Sequence, residues 1–173
     1  DDAAQWGERP AFLHGDSQLT FARLEGEVGR YTAALGRLGV KAGDRVLMRM
    51  PDTPALVLAI RATQAIGAIA VPTYVQLRAD DLLYRVRDAA VSLALVGADL
   101  LAEMRPVVAE AGPALRVVAL PRDIENTFDS FEGMLPAELA RAARINKGKL
   151  HYVVHGQYCS LDVAVSVCKV LGI

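Results

Sequence analysis

The chain has 173 residues, of which 53% are hydrophobic and 23% charged, and its formal net charge is −1 at pH 7. That length predicts one domain, and the composition is typical of a soluble globular protein, which excludes a disordered, collagen-like or coiled-coil chain. A net charge near zero creates no positive field for a polyanion, so nucleic acid is not expected as a partner. The longest stretch without a formal charge, residues 62–77, contains Gly67 and Pro72 and is too short for a membrane span.

The beginning of the chain and its cysteines bear on its location. The sequence opens with Asp1-Asp2 and has no basic segment followed by an apolar stretch. Its two cysteines, Cys159 and Cys168, lie close together near the end. These features predict a cytoplasmic protein that needs no disulfide.

A hairpin and a long helix are predicted first. Two extended pieces, residues 10–14 and 18–19, flank a Gly-Asp turn signal. Thr20 offers a hydroxyl to cap the helix that follows, because apolar residues recur there at spacings of three and four. Gly39 stands where a left-handed residue would end this helix.

Strands and helices then alternate. Thr53 before Pro54 predicts a capped helix start, Gly67 its stop, and Pro106 should kink or delay the last helix. The predicted strands cover residues 45–50, 68–71, 92–96 and 116–120, and the predicted helices cover residues 55–66, 79–90 and 100–111. Apolar strands between such helices indicate right-handed βαβ crossovers and a mostly parallel sheet, so the predicted fold class is α/β, doubly wound.

The composition changes at residue 145. Up to Arg144 the chain has fifteen Arg and one Lys, whereas residues 145–173 contain three Lys, no Arg, both cysteines and two of the three histidines. We therefore predict an α/β portion over residues 1–144, in which residues 121–133 form a surface loop or short helix and residues 136–144 a short helix. The tail is interpreted as a different sequence joined on, whose alternating valines favour extended structure that covers apolar surface.

Glycine-rich phosphate loops are not found. Gly36, Gly39 and Gly43 form the nearest cluster, but they follow a helix and precede a strand. A phosphate loop needs the opposite order, because the backbone amides of a helix N-terminus must face the phosphate. The three glycines are therefore expected to form a turn that ends a helix.

The tail contains a metal-like pattern. His151, His155 and Cys159 are spaced at four residues and would share a helical face, with Cys168 as a fourth zinc ligand. The valines and tyrosines around them favour extended structure, which would separate the side chains. Ordinary strand residues are the favoured interpretation.

Residues for nucleophilic or acid–base chemistry are few. His14 lies in an extended apolar piece and is expected to be a strand-edge histidine. The acidic pairs Asp80-Asp81 and Glu25/Glu27 are expected on solvated helix faces, the first pair favouring a helix N-terminus. None of the serines lies in a G-x-S-x-G motif; they are Ser17, Ser92, Ser130, Ser160 and Ser166.

Several segments together resemble the beginning of the AMP-forming acyl-CoA synthetase and adenylation-domain superfamily. The matching segments are residues 19–25 (LTFARLE), 38–46 (LGVKAGDRV), 50–54 (MPDTP) and 63–73 (TQAIGAIAVPT). They differ from the family patterns in the order Leu24-Glu25, in Asp52 for asparagine and in Ile66 for a small residue. Residues 77–82 and 89–96 are most similar to the branch that activates benzoate and aminobenzoate.

The resemblance implies a two-step reaction in the full-length enzyme. A carboxylic acid and ATP, with Mg²⁺, give an acyl-adenylate and pyrophosphate, and the acyl group then passes to CoA. The family's Ser/Thr/Gly-rich phosphate loop, aromatic-Gly-x-Thr-Glu segment, ribose-binding aspartate and C-terminal lysine have no counterpart in these residues. No catalytic, cofactor-binding or metal residue is therefore assigned, and the chain is expected to be a truncated N-terminal part that is inactive alone and binds no cofactor.

A second interpretation is a non-enzymatic α/β scaffold or assembly module. A severed α/β portion would retain an open sheet edge and apolar faces, which favour self-association. The two interpretations differ in whether the gene continues with the missing phosphate loop.

Overall fold

The computed structural model describes residues 5–120 and Phe128, and its first two strands form the predicted hairpin. Strands β1 (Pro10–His14) and β2 (Ser17–Thr20) pair antiparallel and form a two-stranded sheet of their own. Gly15 in the turn has a φ of 55°, a conformation that glycine adopts without steric cost. The hairpin and its turn are confirmed.

Helix α1 (Phe21–Arg37) begins and ends as the sequence predicts. The Thr20 hydroxyl accepts a hydrogen bond from the Arg23 backbone N–H at 3.3 Å, which satisfies one of the free donors of the first turn. Gly39 has a φ of 77°, and the next N–H, that of Val40, donates to the Leu35 carbonyl. This left-handed ending turns the chain toward the main sheet.

Four parallel strands form the main sheet. They are β3 (Arg45–Arg49), β4 (Ile69–Pro72), β5 (Leu93–Gly97) and β6 (Arg116–Leu120). Their spatial order is β4-β3-β5-β6, with Val46 opposite Ala70 on one side and Leu93 on the other. The predicted parallel sheet is confirmed.

Helices cover both faces of this sheet. They are α2 (Pro54–Ala65), α3 (Ala79–Asp88) and α4 (Leu101–Ala111), and short 3₁₀ turns, Ala98–Leu100 and Gly112–Ala114, flank α4. The core between the sheet and the α1/α2 layer contains Met48 and Leu95, whereas Leu47 and Val96 belong to the core under α3 and α4. This three-layer arrangement is the doubly wound α/β fold that the sequence predicts.

Pro106 lies inside α4, which begins five residues before it. The expectation that this proline would delay the helix is therefore wrong. A proline costs a helix one backbone hydrogen bond, but Met104 and Val107 on either side of it are fully buried. Burial of these side chains outweighs the local penalty.

The chain beyond β6 returns to the core at one described position. Phe128 is 4% exposed and belongs to the same core cluster as Leu24 and Leu120. The stretch predicted as a surface loop or short helix, residues 121–133, therefore contributes at least the Phe128 ring to the core on the α1/α2 side. The predicted helix over residues 136–144, the boundary at residue 145 and the tail lie outside the described residues, and they remain predictions.

In the part of the chain that the structure describes, no helix combines the length and the apolar character that a membrane crossing requires.

Candidate functional site

The main sheet has a topological switch point between β3 and β5. From β3 the chain goes through α2 to β4 on one side, and from β4 it returns through α3 to β5 on the other side. In doubly wound sheets the crevice outside the carboxyl ends of two such strands is where ligands bind. We call this end of the sheet the carboxyl edge; it comprises residues 49–53, 73–78 and 97–100.

Arg49 ends β3 at the carboxyl edge and is 1% exposed. Its Nη1 and Nη2 atoms donate to the backbone carbonyls of Tyr74 and Val75 at 3.4 and 3.0 Å, while its Nε has no partner among the described residues. Burial lowers the pKa of the Arg49 guanidinium from its ordinary value, and the negative charge of Glu103 opposes this shift. Arginine nevertheless stays protonated in proteins, so Arg49 is a buried cation held mainly by carbonyl dipoles.

The loop that connects β4 to α3, residues 73–78, crosses the carboxyl end of β3. The N–H and the hydroxyl of Thr73 both donate to the Met48 carbonyl, at 2.9 and 3.1 Å. At the other end, the Arg78 guanidinium lies 3.5 Å from the Glu103 carboxylate of α4. The Tyr74 side chain is 77% exposed. The loop is thus attached at its start, its middle and its end, and it presents one aromatic ring to the outside.

The N-terminus of α2 also points to the carboxyl edge. Thr53 occupies the predicted N-cap position, and its carbonyl accepts hydrogen bonds from the N–H groups of Leu56 and Val57. Its hydroxyl, however, makes no capping hydrogen bond and has no described partner, although the residue is buried. Pro54 removes one further donor. This helix end therefore lacks the open set of amides that a triphosphate needs.

Arg45 provides a contrast at the opposite, amino end of β3. Its guanidinium donates to the carbonyls of Ala89, Gly43 and Ala90 at 2.7, 2.9 and 3.1 Å. Two of these carbonyls belong to the end of α3, where a cation is favoured by the helix dipole. Arg45 therefore stabilises the fold on the side of the sheet away from the candidate site.

The described residues that the sequence offers for acid–base or nucleophilic chemistry do not belong to the carboxyl edge. His14 is half-buried at the end of β1, paired with Ser17 in the separate hairpin. Ser92 lies before β5 at the amino end, where its hydroxyl is buried without a described partner. Asp80 and Asp81 are exposed in the first turn of α3, as the dipole argument predicts.

The glycine cluster forms a turn, as predicted. Gly39 and Gly43 have φ values of 77° and 83°, and Gly36 lies in the last turn of α1. The Gly43 N–H donates to the Gly67 carbonyl at 2.9 Å, which joins two turns at the amino end of the sheet.

Glu27 does not fit the prediction of a solvated face. Glu25 is exposed, but Glu27 is only 3% exposed on α1. Its Oε1 lies 2.7 Å from Nη1 of Arg30 and 4.0 Å from Nε of Arg23. Burying a carboxylate is unfavourable unless cations lie close to it. Arg23 and Arg30, about one turn away on either side of Glu27, are these cations.

No group of three histidine, cysteine or acidic side chains able to hold a metal ion occurs among the described residues. The four residues of the zinc pattern, His151, His155, Cys159 and Cys168, lie outside that part of the chain, as do Ser130, Ser160 and Ser166.

Sequence reasoning missed Arg49. The only signal is that an arginine ends the apolar run of β3, a strand covered by helices on both faces. A charge at such a position must be buried, and it needs partners from a neighbouring loop.

A family model for AMP-binding enzymes matches residues 1–152. The chain belongs to this family. The resemblance to the N-terminal portion of AMP-forming synthetases is therefore confirmed.

Curated relatives of the chain include two ligases that act on aromatic acids. A 3-hydroxybenzoate–CoA/4-hydroxybenzoate–CoA ligase of Thauera aromatica is 37% identical over 112 residues, which is 65% of this chain and 21% of that protein. A 3-hydroxybenzoate–CoA ligase of Aromatoleum sp. (strain CIB) is 32% identical over 135 residues, or 77% of this chain and 26% of the relative. The chain thus spans about a quarter or less of the length of these relatives.

Solved structures show the same fold at lower identity. A benzoate CoA ligase from Burkholderia xenovorans LB400 aligns with a TM-score of 0.62 at 21% identity, covering 73% of this chain and 25% of that one. An anthranilate CoA ligase in complex with anthranoyl-AMP aligns with a TM-score of 0.63 at 23% identity, covering 69% and 23%. The described α/β unit is therefore the fold of the N-terminal part of adenylate-forming enzymes.

Proposed function

We propose that this chain is the N-terminal α/β portion of an ATP-dependent, AMP-forming acid:CoA ligase that activates an aromatic carboxylic acid. The observation that carries the proposal is the family match over residues 1–152. The aromatic acid is supported by the two hydroxybenzoate–CoA ligases among the relatives. The similarity of residues 77–82 and 89–96 to the benzoate branch adds support.

The reaction of the whole ligase would proceed in two steps. A carboxylate oxygen of the acid attacks the α-phosphorus of ATP, so that a P–O bond to the acid forms and pyrophosphate leaves. The thiolate of CoA then attacks the acyl carbon, which gives the thioester and releases AMP. Both steps develop negative charge on oxygen, and an enzyme lowers their barriers with preorganised cations and N–H donors.

The described residues supply a scaffold for these steps and not their chemistry. The α2 N-terminus begins with Pro54 and keeps the Thr53 hydroxyl buried, so it does not fit the triphosphate of ATP. In the described part of the chain there is also no group of three histidine, cysteine or acidic side chains able to hold a metal ion. Because the family's phosphate loop and C-terminal lysine have no counterpart in the sequence, we expect residues 1–173 to be inactive alone, with ATP, Mg²⁺ and CoA bound by other parts of the whole protein.

ATP–pyrophosphate exchange tests this proposal. Residues 1–173 should give no exchange above a no-enzyme control with benzoate, aminobenzoate or aliphatic acids. A longer polypeptide that the same gene encodes, including the phosphate loop, should exchange with an aromatic acid. Exchange by the 173-residue chain itself would refute the assignment of this portion as an inactive scaffold.

The alternative, a non-enzymatic assembly module, predicts a different result. Exposed apolar side chains at Leu13, Ile69, Tyr74 and Tyr84 are surfaces that a partner could cover. A gene without a phosphate loop downstream, together with a stable oligomer of this chain, would favour that function.

A further inference from the structure

We infer that Arg49 is a positioning residue that fixes the β4–α3 loop, residues 73–78, as one wall of the substrate site at the carboxyl edge. The inference rests on the proposed ligase function. Its first support is topological: β4 and β5 lie on opposite sides of β3, and the connection between them begins with this loop, whose Thr73 N–H donates to Met48 of β3. The loop therefore lies at the switch point, where doubly wound sheets bind ligands.

The second support is the burial of the Arg49 guanidinium. A charged side chain at 1% exposure costs free energy unless its N–H groups are satisfied, and Arg49 uses two of its nitrogens on the carbonyls of Tyr74 and Val75. No carboxylate lies within hydrogen-bond distance of it among the described residues. The hydrogen-bond partners of this cation are thus the loop's own backbone carbonyls, and the charge of Glu103 adds a favourable interaction at longer range.

The third support is that the first half of the loop has few other attachments, whereas Leu77 near its end packs against the core under α3 and α4. Thr73 is tied to Met48, but the ion pair between Arg78 and Glu103 is largely exposed, with 82% and 38% of the two side chains accessible. Exposed ion pairs contribute little to stability. The stretch of Tyr74 and Val75, including the exposed Tyr74 ring, therefore depends on Arg49 for its position.

Arg45 is a matched control for this role. It lies on the same strand four residues earlier, carries the same side chain and also donates to backbone carbonyls, but at the amino end of the sheet. Arg45→Met and Arg49→Met remove equivalent groups. A merely structural role would give the two variants the same profile.

The first arm of the test is amide hydrogen exchange in the 173-residue chain. Two N–H groups report on the loop: that of Thr73, bonded to Met48, and that of Leu77, bonded to Tyr74. Arg49→Met should raise their exchange rates by about tenfold or more, because the loop loses the two hydrogen bonds that Arg49 donates to it. Arg45→Met should instead affect the N–H groups of Ala90 and Val91.

The second arm is steady-state kinetics of the whole ligase that contains this chain. Arg49→Met should raise KM for the acid by about tenfold and leave kcat within about twofold, because the loop shapes binding and does not touch the reacting atoms. Arg45→Met should leave both constants within about twofold. Arg49→Lys keeps the charge with fewer donors and should give an intermediate KM. If Arg49→Met does not fold, Arg49→Lys replaces it in both arms of the test.

Two results would overturn the inference. Unchanged exchange at Thr73 and Leu77 in Arg49→Met would show that Arg49 does not hold the loop. Faster exchange with an unchanged KM for the acid would show that the loop is no part of the acid-binding site. A wild-type protein without ligase activity would refute the proposed function instead, and the exchange arm would then decide alone whether Arg49 positions the loop.

Discussion

Replacing Gly67 with alanine tests how the turns at the amino end of the sheet are built. Gly67 follows α2 with a φ of 79°, and an added Cβ would lie 3.3 Å from the Cβ of Ala42. The left-handed conformation costs a residue with a side chain about 1–2 kcal/mol. The close contact adds up to about 1 kcal/mol, because Ala42 lies in a turn joined to Gly67 through the hydrogen bond from Gly43.

Two further glycines separate these contributions. Gly43 also has a positive φ, 83°, but a Cβ there would meet nothing within 4 Å, so Gly43→Ala should lose only the conformational part. Gly26 is exposed inside α1 and has no positive φ, so Gly26→Ala should raise the free energy of unfolding by about 0.5–1 kcal/mol.

Urea denaturation of the 173-residue chain and its three variants measures these differences through the midpoint at constant slope. The expected order of stability is Gly26→Ala, wild type, Gly43→Ala and then Gly67→Ala. Equal midpoints for Gly67→Ala and the wild type would refute the left-handed geometry at the end of α2. Equal losses at the two turn glycines would remove the crowding by Ala42 from the account.

Three more predictions concern packing and assembly. Phe128→Ala should destabilise the chain by about 3–5 kcal/mol if that ring fills the α1/α2 core, and a change below about 0.5 kcal/mol in urea titration would place it outside the core. Arg30→Met should cost about 1 kcal/mol or more although Arg30 is 62% exposed, because its partner Glu27 is buried; the same substitution at exposed Arg61 is the control and should cost less than about 0.5 kcal/mol. Light scattering should show self-association of the intact chain that is lost in a version ending at Arg144, and a monomer whose tail amides exchange freely would contradict the assembly role of the tail.

The elements that local physics determines were predictable. Thr20 caps α1 because its hydroxyl can reach the Arg23 N–H, and Gly39 ends the helix because only glycine takes that conformation without penalty. The alternation of apolar strands with helices was sufficient for the parallel, doubly wound sheet. The cap and the helix ending depend on residues within one turn of each other, and each strand or helix is indicated by its own stretch of sequence.

Features that depend on distant contacts were not predictable in the same way. Whether Glu27 faces solvent depends on how α1 packs, and its two arginines become visible as partners only once that face is buried. The Thr53 hydroxyl was expected to cap α2, but it is buried without a described partner at the carboxyl edge. The role of Arg49 required knowledge that the loop after β4 crosses the end of β3.

The central claim is that these residues belong to a ligase for aromatic acids, and one measurement tests it most directly. The longest polypeptide of the gene that contains this chain is assayed for acid-dependent ATP–pyrophosphate exchange with 3-hydroxybenzoate, 4-hydroxybenzoate, aminobenzoate and a medium-chain aliphatic acid. The account predicts exchange with at least one aromatic acid at a kcat/KM about tenfold or more above that for the aliphatic acid. Exchange that prefers the aliphatic acid would contradict the substrate class, and no exchange with any acid would contradict the ligase itself.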